Sequence, residues 1–591
     1  MSEAENILLL AKAREILLID IDRHSPAGAR QQNKSYVATM ETLIDEALAN
    51  NEEPLPILAD DADSVTRNAH AYVTSRMGRA YTQAASAEPY EQLKLMLRRT
   101  SELGQACETI SWARQTKASP EVTDTSFEDA EAAMQLFSQR IEADPILASW
   151  REEKDASGLS SFDKRNIELT RDDLRAASVF TEEFVKERSI AATASERIWE
   201  ENKPKSDYAA WQPHLEKIVQ FARKEGELLG KEFGMTPYQA LLDRFNPGLS
   251  NDTVNNVFGE LRAKLPGLIK KAVEEQNKAS APIAFPKVPA EVQARIARRV
   301  MKDMGLTDDH MRLDVSSHPF CCGQWDDVRI TTRYEDNPVS GVMSVVHEAG
   351  HALYSHKLPR EWLGQPVGEA QSMWIHESQS LFWEISVGSS REFMQYLSRI
   401  FKEELPKDGI DISSGAFEPE NMYRIATQVK PSLIRVDADA LTYPLHIILR
   451  HELEQKLIDG SLEPKDLPAA WNAAIKDYLG IEVPDNKHGC MQDIHWSDGS
   501  IGYFPAYSFG ALAAAQLMEK AKEEIPGIKD LIAKGNFAPI SAWLEEKIHR
   551  HGSLYTGEEL IEKATGKPLS AEAWLKQAEA RHLASKALSP S

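Results

Sequence analysis

Cysteine is scarce: the 591 residues contain four, Cys107, the adjacent Cys321 and Cys322, and Cys490. Their spacing gives neither a disulfide framework nor a zinc-finger pattern, so a reducing cytoplasm is the expected setting. Runs of basic residues are missing as well. Lys and Arg total 68 against 91 for Asp and Glu, a formal net charge of −23, which speaks against nucleic acid and anionic membrane as partners. No stretch approaches the roughly 20 apolar residues of a membrane span. The opening MSEAENILLLAKAREILLID carries acids where a secretory signal needs positive charge, and its apolar run Ile7 to Leu10 is too short for a signal core.

What is present is helical periodicity. Apolar residues recur at three- and four-residue spacing through most of the chain, as in Tyr36 to Leu48 and Tyr90 to Trp112, while Gly and Pro gather in a few places. The expectation is a mainly α protein, a large helical body. The polar stretch KASPEVTDTS, Lys117 to Ser126, suggests a boundary, dividing a helical region 1–120 from a region 121–591. One segment departs from this rhythm. In WDDVRITTRY, Trp325 to Tyr334, Asp327, Arg329 and Thr331 alternate with Val328, Ile330 and Thr332, the period of a half-buried strand. EDNP, Glu335 to Pro338, then reads as a turn into a helix.

That helix carries SVVHEAGHALYSH, Ser344 to His356. Residues four apart share a helix face, so His347 and His351 can offer two imidazole nitrogens to one ion. Glu348 stands where a carboxylate can deprotonate an activated water, the logic of His-Glu-x-x-His in zinc peptidases. A catalytic zinc needs a third protein ligand. Tyr354 and Lys357 occupy the positions where a metzincin has Gly and His, which excludes that variant. A Glu from a following helix is the other solution, and Glu369, Glu377 and Glu384 all compete for the role on spacing. Further on, SLIRVDADALTYPLHIILRHELE, Ser432 to Glu454, places Arg435, Asp437 and Asp439 in what reads as an amphipathic helix, for function or for an internal salt bridge. GCMQDIHWSDGSIGYFPAYSFG, Gly489 to Gly510, gathers Asp493, His495, Trp496, Tyr503 and Tyr507 in a glycine-punctuated stretch of the kind that lines a site.

Together these residues resemble the carboxypeptidase Taq family, mainly helical zinc metallocarboxypeptidases that remove single residues from peptide C-termini. The motifs occur in order: HPF at His318 to Phe320, DVRIT at Asp327 to Thr331, HEAGH at His347 to His351, HESQ at His376 to Gln379, IRVDAD at Ile434 to Asp439, GCMQDIHW at Gly489 to Trp496 and FPAYSFG at Phe504 to Gly510. With YQALLDRFNPG, Tyr238 to Gly248, the likeness covers roughly residues 195–590. It implies zinc, with cobalt a possible substitute, on His347, His351 and Glu377, with Glu348 as general base. It further implies that Arg435 and Tyr507 hold the substrate's terminal carboxylate, that His495 contacts substrate or oxyanion, and that the protein is a homodimer with a deep substrate groove and a small sheet beside the His-Glu-x-x-His helix.

Within that reading the strand Asp327 to Thr331, with Arg329, is a candidate for pairing with an extended peptide, and Tyr503 for contacting it. The first hundred or so residues depart from the family pattern: SWARQTKASP, Ser111 to Pro120, is only an echo of its amino-terminal motif. A zinc oligopeptidase or dipeptidyl carboxypeptidase on the same scaffold is the nearest alternative. A peptide-binding protein with a silent site is the alternative of another class, and Glu348 counts against it.

Overall fold

A computed structural model of the chain describes residues 3–49, 65, 68–69, 72–73, 88–118, 122–142, 144–152, 156–316 and 319–583. His318 of the HPF motif lies outside them. The chain opens with α1 (Glu3–Arg23) and α2 (Arg30–Ala49); further on come α3 (Pro89–Thr116) and α4 (Asp124–Glu142). In α1, Ile7, Leu10, Leu17 and Ile21 recur on one face. They close a hydrophobic cluster with Met40 and Ile44 of α2, Leu103 and Ile110 of α3, and Ala130 and Phe137 of α4. The boundary expected at Lys117 to Ser126 falls inside this cluster. The helices on either side of that stretch, α3 and α4, bury apolar faces against each other.

The larger cluster runs from Trp199 to Ala578. Four of its helices carry the site: α5 (Pro338–His356), α6 (Met373–Leu381), α7 (Tyr443–Asp459) and α8 (Pro505–Glu524). Beside α5 lies a three-stranded sheet of β1 (Met311–Val315), β2 (Cys321–Gln324) and β3 (Asp327–Thr332). Its order is β1-β3-β2, with β1 parallel and β2 antiparallel to β3.

The strand reading holds for β3 in extent but not in surroundings. All six of its residues are buried, and both its edges are paired. Val328 and Ile330 belong to the larger cluster. Asp327 and Arg329 are covered by the amino-terminal helices. Arg329 donates to both carboxylate oxygens of Asp20 on α1 (2.8 and 2.6 Å) and to both of Asp327 (2.8 Å each), while its guanidinium stacks 4.5 Å from the Trp112 ring. Thr331 Oγ1 accepts from Ser316 Oγ (2.7 Å) and the Phe320 N–H (3.0 Å). Asp327, Arg329 and Thr331 are therefore core residues, out of reach of a peptide. β3, a central strand, has no free edge to offer one.

The Asp20–Arg329–Asp327 group is taken almost wholly out of water, with side-chain exposures of 2%, 1% and 3%. Removing the single guanidinium of this group would leave two buried carboxylates uncompensated. We expect Arg329→Ala to lower the stability of the full chain by about 3–5 kcal/mol in urea denaturation. A loss under ~1 kcal/mol would mean the pair behaves like a solvent-screened surface contact.

Candidate metal centre and active site

Helix α5 begins where Asn337 caps it: its Oδ1 accepts the N–H groups of Val339 (3.0 Å) and Ser340 (3.3 Å), with Pro338 in the first turn. Val342, Val345, Val346, Ala349 and Leu353 bury the helix in the core. His347 and His351 remain partly open, with ring centroids 5.0 Å apart. Glu377, on α6, faces them: its Oε2 lies 3.5 Å from His351 Nε2, and one ligand atom from each of the three residues lies within 4.8 Å of the others. Among the described residues this is the one group of three or more His, Cys, Asp or Glu that could hold a metal ion.

Two glycines set the position of Glu377. A Cβ on Gly350 of α5 would meet the Gln379 carbonyl oxygen and Ser380 Cα at 2.6 Å. A Cβ on Gly510 of α8 would meet Glu377 Cβ and Cγ at 2.8 Å. Helix α6 is thus wedged between α5 and α8 with its backbone closer than any side chain would allow.

The other two acids of the sequence argument fall elsewhere. After Leu381 the chain widens into a π-helical turn, Phe382–Gly388, with Ser389 N–H on the Glu384 carbonyl (2.9 Å). Glu384 Oε2 reaches His347 Nδ1 at 2.8 Å. Such a bond would fix the imidazole and leave Nε2 free for an ion. Glu369 instead bonds Gln324, away from the pair, and burial lifts its carboxyl to about 7. His351 Nδ1 contacts His376 Nδ1 (2.6 Å), whose Nε2 faces Ser355 Oγ (3.4 Å). Burial and the neighbouring His351 keep His376 neutral. It can accept the Nδ1 proton and free His351 Nε2.

The electrostatics fit a cation. Burial disfavours a charged His347, yet the hydrogen bond it donates to Glu384 and the charges of Glu377, Glu384 and Glu348 outweigh it and raise the group to about 10. Three carboxylates around two imidazoles thus demand positive charge. Glu348 is 6% exposed; burial pushes its carboxyl up, against the pull of His347 and His351.

Across from the acids stands a cationic group. The helix expected over Ser432 to Glu454 is broken: Arg435–Asp437 form a single 3-10 turn, and α7 begins only at Tyr443. Asp439 is the reason. Its carboxylate accepts the N–H groups of Leu441 (3.0 Å), Thr442 (3.1 Å) and Lys430 (3.0 Å), local bonds that compete with helix. Arg435 is buried and donates from Nε (3.0 Å) and Nη2 (2.8 Å) to Asp493 Oδ1, and from Nη1 to Tyr443 OH (2.6 Å). The other oxygen of Asp493 takes Arg450 Nε at 2.7 Å. Two guanidiniums share one carboxylate, leaving a net positive charge. The internal salt bridge weighed from sequence is present, and one N–H remains on each η nitrogen of Arg435 after those bonds.

The aromatic stretch closes the site. Tyr507 OH lies 3.5 Å from His495 Nε2, and Tyr503 and Tyr507 pack at 5.4 Å between ring centroids. Burial, then the charge of Glu377, raises Tyr503 to about 12; burial lowers His495 to about 4. Both are neutral at neutral pH. Sequence reasoning missed what anchors this stretch: Glu454 of α7 accepts Trp496 Nε1–H (2.9 Å), Gly502 N–H (3.0 Å) and Tyr238 OH (2.9 Å). Its signal was an acidic residue four positions from Arg450, on the same face of the helix. A surface cavity of about 1300 Å³ opens past the C-terminal end of α5, lined by His356, Lys357 and Arg360, and includes none of the three candidate ligands.

Comparison with known proteins shows the family to which this fold belongs. The sequence pattern of the carboxypeptidase Taq (M32) metallopeptidases matches residues 92–582. Thermostable carboxypeptidase 1 of Pyrococcus furiosus is 35% identical over 502 residues, covering 84% of this chain and 99% of that protein. Thermostable carboxypeptidase 1 of Thermus thermophilus is 34% identical over 512 residues, covering 84% and 98%. The solved structure of Trypanosoma cruzi metallocarboxypeptidase 1 superposes with a TM-score of 0.80 at 36% identity, over 84% of this chain and 99% of that one. The likeness thus reaches upstream of residue 195 to include α3 and α4.

Glu384→Gln should weaken metal binding roughly 10–100-fold, as loss of a ligand's outer partner does, measured by competition with a chromogenic chelator. Gly510→Ala should weaken it too, because the new methyl displaces Glu377. Unchanged affinity in both would remove Glu377 and Glu384 from the metal site.

Proposed function

This chain belongs to the carboxypeptidase Taq family of metallopeptidases and is a carboxypeptidase, and we propose that it releases single residues from the free C-termini of short or unfolded peptides using zinc on His347, His351 and Glu377. The observation that carries this reading is the pairing of opposite charges in one site. Three carboxylates surround the histidines, and the Arg435–Asp493–Arg450 group presents net positive charge behind the tyrosines. When bound, zinc brings the pKa of a water toward ~7 and polarises the scissile carbonyl. Cobalt suits the same ligands.

In this reading Glu348 takes the proton of the attacking water and delivers it to the leaving amine. Its burial supports the role, because a carboxyl held above its ordinary range is a better base and then a better acid at neutral pH. His495, Tyr503 and Tyr507 supply neutral donors for the developing oxyanion and the substrate backbone. Arg435 receives the terminal carboxylate through its spare N–H groups, with Tyr507 beside it (5.0 Å from guanidinium carbon to ring centroid). The peptide backbone pairs with the outer edge of β2, which packs against α5. This replaces β3 as the pairing strand. Burial, and after it the charge of Glu348, raises the Cys321 thiol of β2, in keeping with a strand that passes beside the base. The family reading brings a homodimer with it, to be checked by sedimentation.

Two measurements test this. Product analysis by mass spectrometry should give a ladder shortened one residue at a time from an unblocked peptide, and nothing from its C-terminal amide or with chelator. Internal cleavage of both peptides would replace the reading with an oligopeptidase. Glu348→Gln should keep its zinc and lose hydrolysis by a factor on the order of 10²–10⁴; hydrolysis that survives would overturn the assigned base.

A further inference from the structure

Helices α1 and α2 precede the stretch shared with the family, residues 92–582, yet they grip the hairpin next to the catalytic helix. The turn between β2 and β3 is Trp325-Asp326, and Trp325 is buried with φ of 53°, a conformation that L side chains resist. It is held from two sides. On the α5 side the Trp325 N–H donates to the Ser355 carbonyl (3.1 Å), and His356 Nδ1 meets the Trp325 carbonyl. On the α2 side Gln32 brackets the turn: its Nε2 donates to the Gln324 carbonyl (3.0 Å), and its Oε1 accepts the Asp326 N–H (3.2 Å). The next residue, Asn33, donates to Asp327 Oδ2 (2.6 Å).

A turn strained at Trp325 persists only while its surroundings fix it. The strand it fixes is β2, the edge strand beside Glu348. We infer that Gln32 and Asn33 are positioning residues, and that the added amino-terminal helices clamp the β2–β3 hairpin so that the outer edge of β2 is set for the substrate backbone. The inference rests on the proposed pairing of peptide with β2. The clamp itself does not.

The test uses full-length Gln32→Ala and the double variant Gln32→Ala/Asn33→Ala, the single change guarding against a double variant that fails to fold. Hydrogen exchange of the amides of residues 321–327 should accelerate about tenfold or more with α5 unchanged. KM for an unblocked short peptide should rise about fivefold, with kcat within about twofold and zinc content retained, the signature of lost binding rather than lost chemistry. Unchanged exchange at 321–327 overturns the clamp. Faster exchange with unchanged KM overturns the positioning role and leaves a structural brace. If the unaltered protein hydrolyses no peptide, the proposed function fails on its own account, and the exchange arm still decides the clamp.

Discussion

The active site depends on how closely three helix backbones approach. His347 and His351 are fixed relative to each other by helix geometry alone, but Glu377 comes from a different helix and its place is a matter of interhelical distance. Gly350 and Gly510 set that distance from opposite sides of α6. A methyl group at either would have to move backbone or the ligand itself. The carboxylate surplus follows from the same wedge, because the π turn at the end of α6 carries Glu384 back to His347.

On the proposed function, the charge pattern would give a peptide a direction. Negative groups crowd the metal side, Glu348, Glu377 and Glu384, while Arg435 and Arg450 share the single carboxylate of Asp493 among the described residues. Burial by itself disfavours the Asp493 carboxylate, but the two guanidiniums hold it well below its usual range. On the proposed function, a chain-terminal carboxylate would be drawn to that end and repelled from the other. Between the two lie groups that stay uncharged at neutral pH, His495, Tyr503 and Tyr507, so they donate hydrogen bonds without disturbing the balance. Their placement depends on Glu454, whose three accepted bonds tie Trp496 and Gly502 to α7.

Some of this was legible in the sequence. The His-Glu-x-x-His helix was, because a four-residue spacing on an apolar helix fixes geometry locally. The choice among Glu369, Glu377 and Glu384 was not open to spacing, since it turns on glycine contacts and a π turn that no periodicity encodes; resemblance to the family supplied it. The helix drawn through Arg435 failed because Asp439 bonds its neighbours' amides, local chemistry that outranked an amphipathic pattern. The alternation of DVRIT located the strand correctly. It could not tell a face turned to solvent from one covered by Asp20, which lies 309 residues away in the chain.

That distant pair constrains the substrate as well. Enclosing β3 on both faces and both edges removes it from binding and leaves the outer edge of β2 as the backbone surface beside Glu348. One donor on that edge is already taken: the Gly323 N–H gives its hydrogen bond to Glu108 of α3 (3.0 Å). Successive N–H groups of a strand alternate in direction, so Cys321 and Gly323 face outward together. A peptide pairing with Cys321 therefore meets the Glu108 carboxylate two residues along, and ladder pairing stops there unless Glu108 yields its place. On the proposed pairing with β2, the length of backbone held by strand addition is thus bounded by a single acid on a helix of the amino-terminal cluster.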